Sequence, residues 1–229
     1  SFFGRLNIDW NKKYFIEVSG RRDGYSGLAS GNKFGNFGGM SFMWNASKEE
    51  FLNNDFFKRY FSDLRIKASY GRVGNISAVS NYASLFLYGS GIYNGNSSLY
   101  FAQAGNADLR WEASNKFDFG VSFGLLKDKI QVDFNYFNNT VEDLIIQVPQ
   151  SPSKGIPDDL IFQNIGSMKN NGIELTLTSY NIDGKDFKWN TTLNLSTLHN
   201  EVTALAPGVP SIVGVTSGTE TTNRTLVGY

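Results

Sequence analysis

The chain is 229 residues long and electrically balanced, with 21 Lys+Arg against 21 Asp+Glu and only 18% charged residues. That balance excludes the basic footprint of a nucleic-acid binder. The absence of Cys removes disulfides, thiol nucleophiles and Cys-based metal sites, and a single His, His199, excludes a His-rich zinc centre.

Aromatic residues make up 15% of the chain, with 24 Gly against 5 Pro, a strand-and-turn composition. No apolar run reaches the ~18 residues of a membrane helix. Period-2 alternation of apolar and polar residues predicts eight strands. Residues 1–10 place Phe2, Gly4, Leu6, Ile8 and Trp10 opposite Arg5, Asn7 and Asp9. After a turn at Asn11-Lys12, residues 13–22 set Tyr14, Ile16 and Val18 against Glu17, Ser19 and Arg21. Residues 37–45 set Met40, Phe42 and Trp44 against Ser41 and Asn45, and 63–71 set Leu64, Ile66, Ala68 and Tyr70 against Arg65, Lys67 and Ser69. Phe117 to Phe123 alternate with Asp118, Gly120 and Ser122, and Ile130 to Tyr136 with Gln131, Asp133 and Asn135. Ile173, Leu175 and Leu177 alternate with Glu174 and Thr176, and 187–196 repeat the habit, with Lys188 and Asn194 on the polar parity. Phe15 and Phe137 break the rule by standing on the polar side.

The connections alternate too. Those at 11–12, 125–129 and 182–186 are tight, whereas 23–36, 72–110, 148–170 and the chain from about 199 are long and rich in Gly, Ser and Asn. The exception is 46–62, where Ser47-Lys48-Glu49-Glu50 fits a capping box and predicts a short helix. Long connections gathered at one end are the habit of an outer-membrane barrel, with short turns on one side and long loops outside. Trp10, Tyr14, Phe187 and Trp189 flank the short turns and suit an interfacial aromatic girdle. A soluble antiparallel sheet also alternates, and turn-flanking aromatics also serve cross-strand packing. The pattern favours the barrel: an all-β, antiparallel, up-and-down transmembrane β-barrel segment.

Particular residues carry a resemblance. Phe3-Gly4-Arg5-Leu6-Asn7-Ile8-Asp9-Trp10, Lys13-Tyr14 and Arg21-Arg22-Asp23-Gly24 resemble a strand pair of the SusC/RagA-type TonB-dependent transporters of Bacteroidetes. The same family order continues through Leu64 to Gly71 with Gly74-Asn75, Asn106 to Glu112, Asp143 to Ile146 with Pro149, Asn164 to Glu174, and Phe187-Lys188-Trp189 running to Asn200-Glu201-Val202. Ala107 departs from the family's usual Pro and loosens a loop corner. The resemblance implies a barrel of about 22 strands around an N-terminal plug. Residues 1–229 then form part of its wall, with plug, first strands and last strands lying outside them. It also implies the cell outer membrane as location, import of a glycan or peptide with a SusD-like surface lipoprotein, and energy from TonB through the plug. Neither enzymatic activity nor a cofactor is implied. The alternative is a stand-alone eight-stranded barrel or surface binding module with no transport role.

Strand parity in a barrel turns Arg5, Asp9, Glu17, Arg21, Arg65, Lys67, Asp118, Asp133, Glu174 and Lys188 to the lumen. There they would line a substrate route, grip the plug, or simply be solvated and ion-paired. In 72–110, Tyr82, Phe86, Tyr88, Tyr93, Tyr100 and Phe101 offer rings that suit stacking on a sugar or packing on a peptide. They equally suit packing of loop on loop or on a lipoprotein. Asp158-Asp159 and Glu142-Asp143 are adjacent carboxylates that point apart in extended chain, a poor arrangement for acid–base chemistry.

Overall fold

The computed structural model describes residues 1–77, 79, 81–205, 211–213, 216–217, 220–221 and 224–228. Strands β1 (Phe2–Trp10), β2 (Tyr14–Gly24), β3 (Phe34–Asn45), β4 (Phe61–Asn75), β5 (Leu87–Tyr93), β6 (Asn96–Gln103), β7 (Glu112–Leu125), β8 (Ile130–Pro149), β9 (Leu160–Asp183) and β10 (Lys188–Ala204) carry the architecture. Eight of them form one antiparallel sheet in the order β1-β2-β3-β4-β7-β8-β9-β10, and these are the eight expected from alternation. Among the described residues β5 and β6 pair only with each other. Among the described residues β1 and β10 are not partners, so the sheet is open and the alternative of a self-closed eight-stranded barrel is not realised.

Directly opposed residues in an antiparallel ladder share a face. One row therefore runs Trp10–Tyr14–Trp44–Ile66–Val121–Phe134–Leu175–Leu195, and the next Ile8–Ile16–Phe42–Ala68–Phe119–Tyr136–Ile173–Thr197. The row beyond begins Leu6–Val18–Met40–Tyr70–Phe117 and turns polar at Asn138–Asn171–His199. On its other side the band gains Leu64–Phe123–Val132–Leu177–Leu193. The apolar band thus slides toward the short turns as it crosses the sheet. Tilted barrel strands produce this drift, because rows follow the hydrogen bonds while a membrane cuts every strand at one height. Among the described residues this face is left open: Leu193 is 59% exposed. A soluble monomer rarely leaves so continuous an apolar surface open.

The turns follow from their residues. Asn11 and Lys12 both stand at φ 54°, the left-handed geometry of a type I′ turn whose twist matches the strands. The Lys12 amide donates to Asp9 Oδ1 at 2.8 Å, and the Lys13 amide to the Trp10 carbonyl at 3.0 Å.

Three features differ from the sequence expectation. β8 and β9 run well past their alternating stretches, so the 148–170 loop shrinks to 150–159. Asn138-Asn139 and Asn170-Asn171 end the alternation without ending the ladder, and an irregularity between Val141 and Leu144, where Asp143 has φ 58°, carries the pairing onward. The chain from 199 likewise continues as β10 to Ala204, followed by short ladders of Ser211–Val213 with Arg224–Leu226 and Thr216–Ser217 with Glu220–Thr221. In 46–62 the capping box is not used. The Ser47 hydroxyl lies 2.7 Å from Asn45 Oδ1 and 3.0 Å from Asp63 Oδ1, inside a 3₁₀ turn. The helix starts later, as α1 (Asp55–Tyr60), with Asn54 Oδ1 accepting the Phe57 amide at 2.8 Å.

The buried core is not between sheet layers. Leu28, Val79, Ala83, Leu109 and Ile145 cluster at the long-loop end, with Tyr25, Ile76, Trp111 and Phe162 packed against them. Leu109 is 0% exposed. Parts of the 23–36 and 72–110 connections are therefore packed together against β8 and β9 as one cap.

Candidate functional site

The polar face of the sheet holds three successive depressions. The outermost, about 460 Å³, lies near the long loops and is lined by Arg5, Arg21 and Asp23 with Phe3, Phe37 and Val73. Arg21 Nη2 meets Asp23 Oδ2 at 2.5 Å, and its guanidinium carbon stands 5.8 Å from the Phe37 ring centre. The middle depression, about 520 Å³, gathers Asp9, Glu17, Lys67 and Asp118 with Asn7, Ser41 and Ser69. Ser69 Oγ donates to Asp118 Oδ2 at 3.3 Å, and Arg5 Nε lies 3.6 Å from Glu17 Oε1, linking the first two depressions. The innermost, about 640 Å³, is lined by Asp63, Arg65, Asp128 and Asp133 with Ser47, Lys48 and Ser62. Asp63 and Arg65 form an ion pair, and Ser62 Oγ donates to Asp128 Oδ1 at 2.6 Å.

Register explains the gathering. Glu17 opposes Ser41, Ser41 opposes Ser69, and Ser69 opposes Asp118, so one polar residue per strand repeats across the sheet. Glu174 continues this face opposite Asn135 and Ser196. Lys188 stands apart at a tight turn, its ammonium 2.8 Å from Asp183. The exceptions Phe15 and Phe137 also find a place on the polar face. Phe15 opposes Asp9 and Met43, and Phe137 lies over Gly172, where an added Cβ would come within 2.8 Å of its ring. The charge along the wall is uneven: arginine predominates in the outer depression and carboxylates in the two inner ones.

The loop aromatics form a different constellation. Tyr88 and Phe101 oppose each other on one face of the β5–β6 hairpin, ring centres 5.7 Å apart, with Phe86 stacked on Phe101 at 6.0 Å. Tyr93 and Tyr100 occupy the other face, and the Tyr100 ring covers Gly89. Tyr82 precedes the hairpin at φ 65°, its carbonyl accepting from Gln103 Nε2 at 2.8 Å. Tyr93 is 78% exposed. The hairpin has a sequence signal that the reading of 72–110 as one loop passes over: Asn94-Gly95, both at positive φ, make a type I′ turn.

A second cluster has no sequence signal. Glu49, between the 3₁₀ turns of 46–52, accepts from the Tyr14 hydroxyl at 2.5 Å, Lys13 Nζ at 3.0 Å and Trp44 Nε1 at 3.2 Å. These bonds, led by that from Tyr14, push its carboxyl down to about 2, and the same carboxylate raises the Lys13 ammonium. The contact ties the connection after β3 to the β1–β2 turn. At the opposite end, Arg110 Nη2 pairs with Asp143 Oδ1 at 2.6 Å and Asn164 Nδ2 donates to the Arg110 carbonyl at 2.8 Å, joining the cap to β8 and β9.

Comparison with known proteins matches residues 1–226 to the family described as TonB dependent receptor-like, beta-barrel. TonB-dependent receptor P3 of Formosa agariphila is 33% identical over 91% of this chain and 21% of its own length. TonB-dependent receptor SusC of Bacteroides thetaiotaomicron is 28% identical over 95% of this chain and 22% of its own length. Among solved structures, that of the RagAB peptide transporter superposes with a TM-score of 0.85 at 30% identity, covering 99% of this chain and 24% of that one. The chain therefore spans about a fifth of the length of the curated relatives it matches.

Proposed function

The chain belongs to the TonB dependent receptor-like β-barrel family, and from that premise we propose that the protein carrying it imports a large nutrient across the outer membrane. Proteins of this family are outer-membrane transporters and receptors rather than enzymes. In this reading residues 1–229 form part of the barrel wall, with the apolar band toward lipid and the polar face toward the lumen. Arg5, Asp9, Glu17, Arg21, Arg65, Lys67, Asp133 and Glu174 then line the interior, and Lys188 marks its inner rim. The single observation that carries the proposal is the run of charged depressions along the polar face from the long-loop end to the short-turn end. A wall of that kind keeps water and hydrated solutes beside it, whereas the opposite face cannot.

The cargo is a glycan or a peptide, captured with a SusD-like surface lipoprotein and driven by TonB acting on a plug. The peptide option draws on the structural likeness to a peptide transporter and the glycan option on the exposed rings of the β5–β6 hairpin, Tyr88, Phe101, Tyr93 and Tyr100, with Tyr82 beside them. The test is uptake of labelled peptide and oligosaccharide pools by cells with the full-length protein, with its gene deleted, and with the gene for the proposed lipoprotein partner deleted. Uptake of one pool should fall in both deletions, and undiminished uptake of both pools would reject the importer.

A further inference from the structure

Between Arg72 and Asp108 the chain holds no charged residue and no proline. Strand edges are ordinarily guarded against further pairing by those residue types. The β5–β6 hairpin lies in this stretch, and among the described residues no further strand pairs with either of its edges. Register fixes which backbone groups stand free. Tyr93 and Asn96 flank the two-residue Asn94-Gly95 turn and so exchange hydrogen bonds, as do Gly91 with Ser98 and Gly89 with Tyr100. The pairs between them do not. The N–H and C=O groups of Tyr88, Ser90 and Ile92 therefore point outward along β5, and those of Ser97, Leu99 and Phe101 along β6. The turn of Pro157–Asp159 stands beside β6, whereas Tyr88, Ser90 and Ile92 on β5 are all exposed. The two faces beside the β5 edge differ. One carries Tyr88 and Ile92, with Leu99 and Phe101 behind them. On the other, Gly89 and Gly91 offer no side chain, and the Tyr100 ring crosses from β6 to lie over them, 2.5 Å from a Cβ placed at Gly89 and 3.4 Å from one at Gly91.

Donors and acceptors that recur every two residues, roughly 7 Å apart, match a second extended backbone. A sugar chain offers hydroxyls but not that repeat, so the edge separates two cargoes that the exposed rings alone do not. We propose that the β5 edge takes an extended, uncharged peptide of the cargo as an added strand. Main-chain bonds at Tyr88, Ser90 and Ile92 supply the hold, alternate peptide side chains pack on Tyr88 and Ile92, and the intervening ones meet Tyr100 above the glycines. A charged peptide side chain finds no partner on this hairpin, none of whose residues is charged. The inference rests on the importer reading and narrows its cargo to a peptide.

The test uses the full-length protein in detergent with three probes: a pool of uncharged heptapeptides of Ser, Thr, Val and Tyr, the same pool N-methylated at every internal residue, and maltoheptaose. Equilibrium dialysis should show the unmodified pool held about tenfold more tightly than the N-methylated one. Ser90→Pro removes an outward N–H and should lose the same factor, whereas Ser97→Pro, on the β6 edge, should keep the preference. Should Ser90→Pro disturb the hairpin, hydrogen exchange in the unaltered protein decides: the unmodified pool should slow exchange of the Ser90 and Ile92 amides and leave those of Ser97 and Leu99 unchanged. Equal retention of the two peptide pools at any level, equal loss in both variants, or retention of maltoheptaose alone overturns the inference. So does a Ser90→Pro variant that keeps the peptide preference but no longer binds the purified lipoprotein, which would give the edge to that partner. None of these outcomes touches the importer reading, which fails only if uptake is undiminished when the gene is deleted.

Discussion

The carboxylate of Glu49 accepts a hydrogen bond from the Tyr14 hydroxyl at 2.5 Å, joining the first hairpin to the connection that follows the third strand. Because the bond favours the ionised form, the Glu49 carboxyl is held at about 2, below its ordinary value of 4.5. A depressed carboxylate contributes stability that is fully present above its unfolded value and is lost as pH falls through its folded value. The full-length protein in detergent should therefore lose thermal stability between about pH 4.5 and about pH 2 through this group. Glu49→Gln should melt lower at neutral pH, with the difference from the unaltered protein shrinking across that window. A difference independent of pH would show that the latch acts by shape alone.

Gly172 should resist any side chain. An added Cβ would collide with the Thr197 carbonyl oxygen and stand 2.8 Å from the Phe137 ring. Gly172→Ala is expected to cost about 1–3 kcal/mol through overpacking. Gly4→Ala, where a Cβ meets nothing within 4 Å, serves as the neutral comparison. Urea unfolding of the refolded barrel in detergent measures both, and equal midpoints would contradict the close approach.

Leu193 and Asn194 are neighbours on β10 facing opposite ways, one opposing Leu177 and the other Thr176. A spin label at Leu193 should be relaxed by oxygen dissolved in the bilayer, and a label at Asn194 by a water-soluble reagent. Leu193→Arg should cost about 2–4 kcal/mol near mid-membrane, with Asn194→Arg nearly neutral. No oxygen response at either site would reject lipid contact.

The hairpin can be separated from the barrel's stability. Among the described residues its strands pair only with each other, so replacing 88–101 by a short Gly-Ser link should leave the melting of the full-length protein unchanged. Uptake of the cargo should fall, and Tyr88→Ala with Phe101→Ala should reproduce most of the loss because these rings face one way. Full uptake by the shortened protein would remove the rings from cargo or partner contact.

The sheet was legible in the sequence because one face is apolar and the other polar, which is the condition under which period 2 is visible. Legibility ended where that condition ended. Beyond Asn138 and Asn171 the ladder of β8 and β9 continues, but Ile145 and Phe162 there serve the packed loop core and the alternation is lost. Asp9, Glu17, Lys67 and Asp118 line one depression because neighbours across an in-register ladder inherit one another's face. The Glu49 latch depends on how a turn folds back, and the loop core on contacts such as Leu28 with Leu109; no local pattern encodes either. The β5–β6 hairpin was legible after all, in Asn94-Gly95.

The packing of Leu109 and its neighbours bears on the entropy of encounter. Ordering a loop backbone costs roughly 1–2 kcal/mol per residue. In the cap around Leu28, Val79, Ala83 and Ile145 that cost is already met when the chain folds. A lipoprotein or cargo arriving at this end would meet a surface whose shape is set in advance, so little of its binding free energy would be spent on immobilising the rim. Association there should be fast and nearly rigid-body, and any large motion of capture should reside in the arriving partner or in the separately paired β5–β6 hairpin.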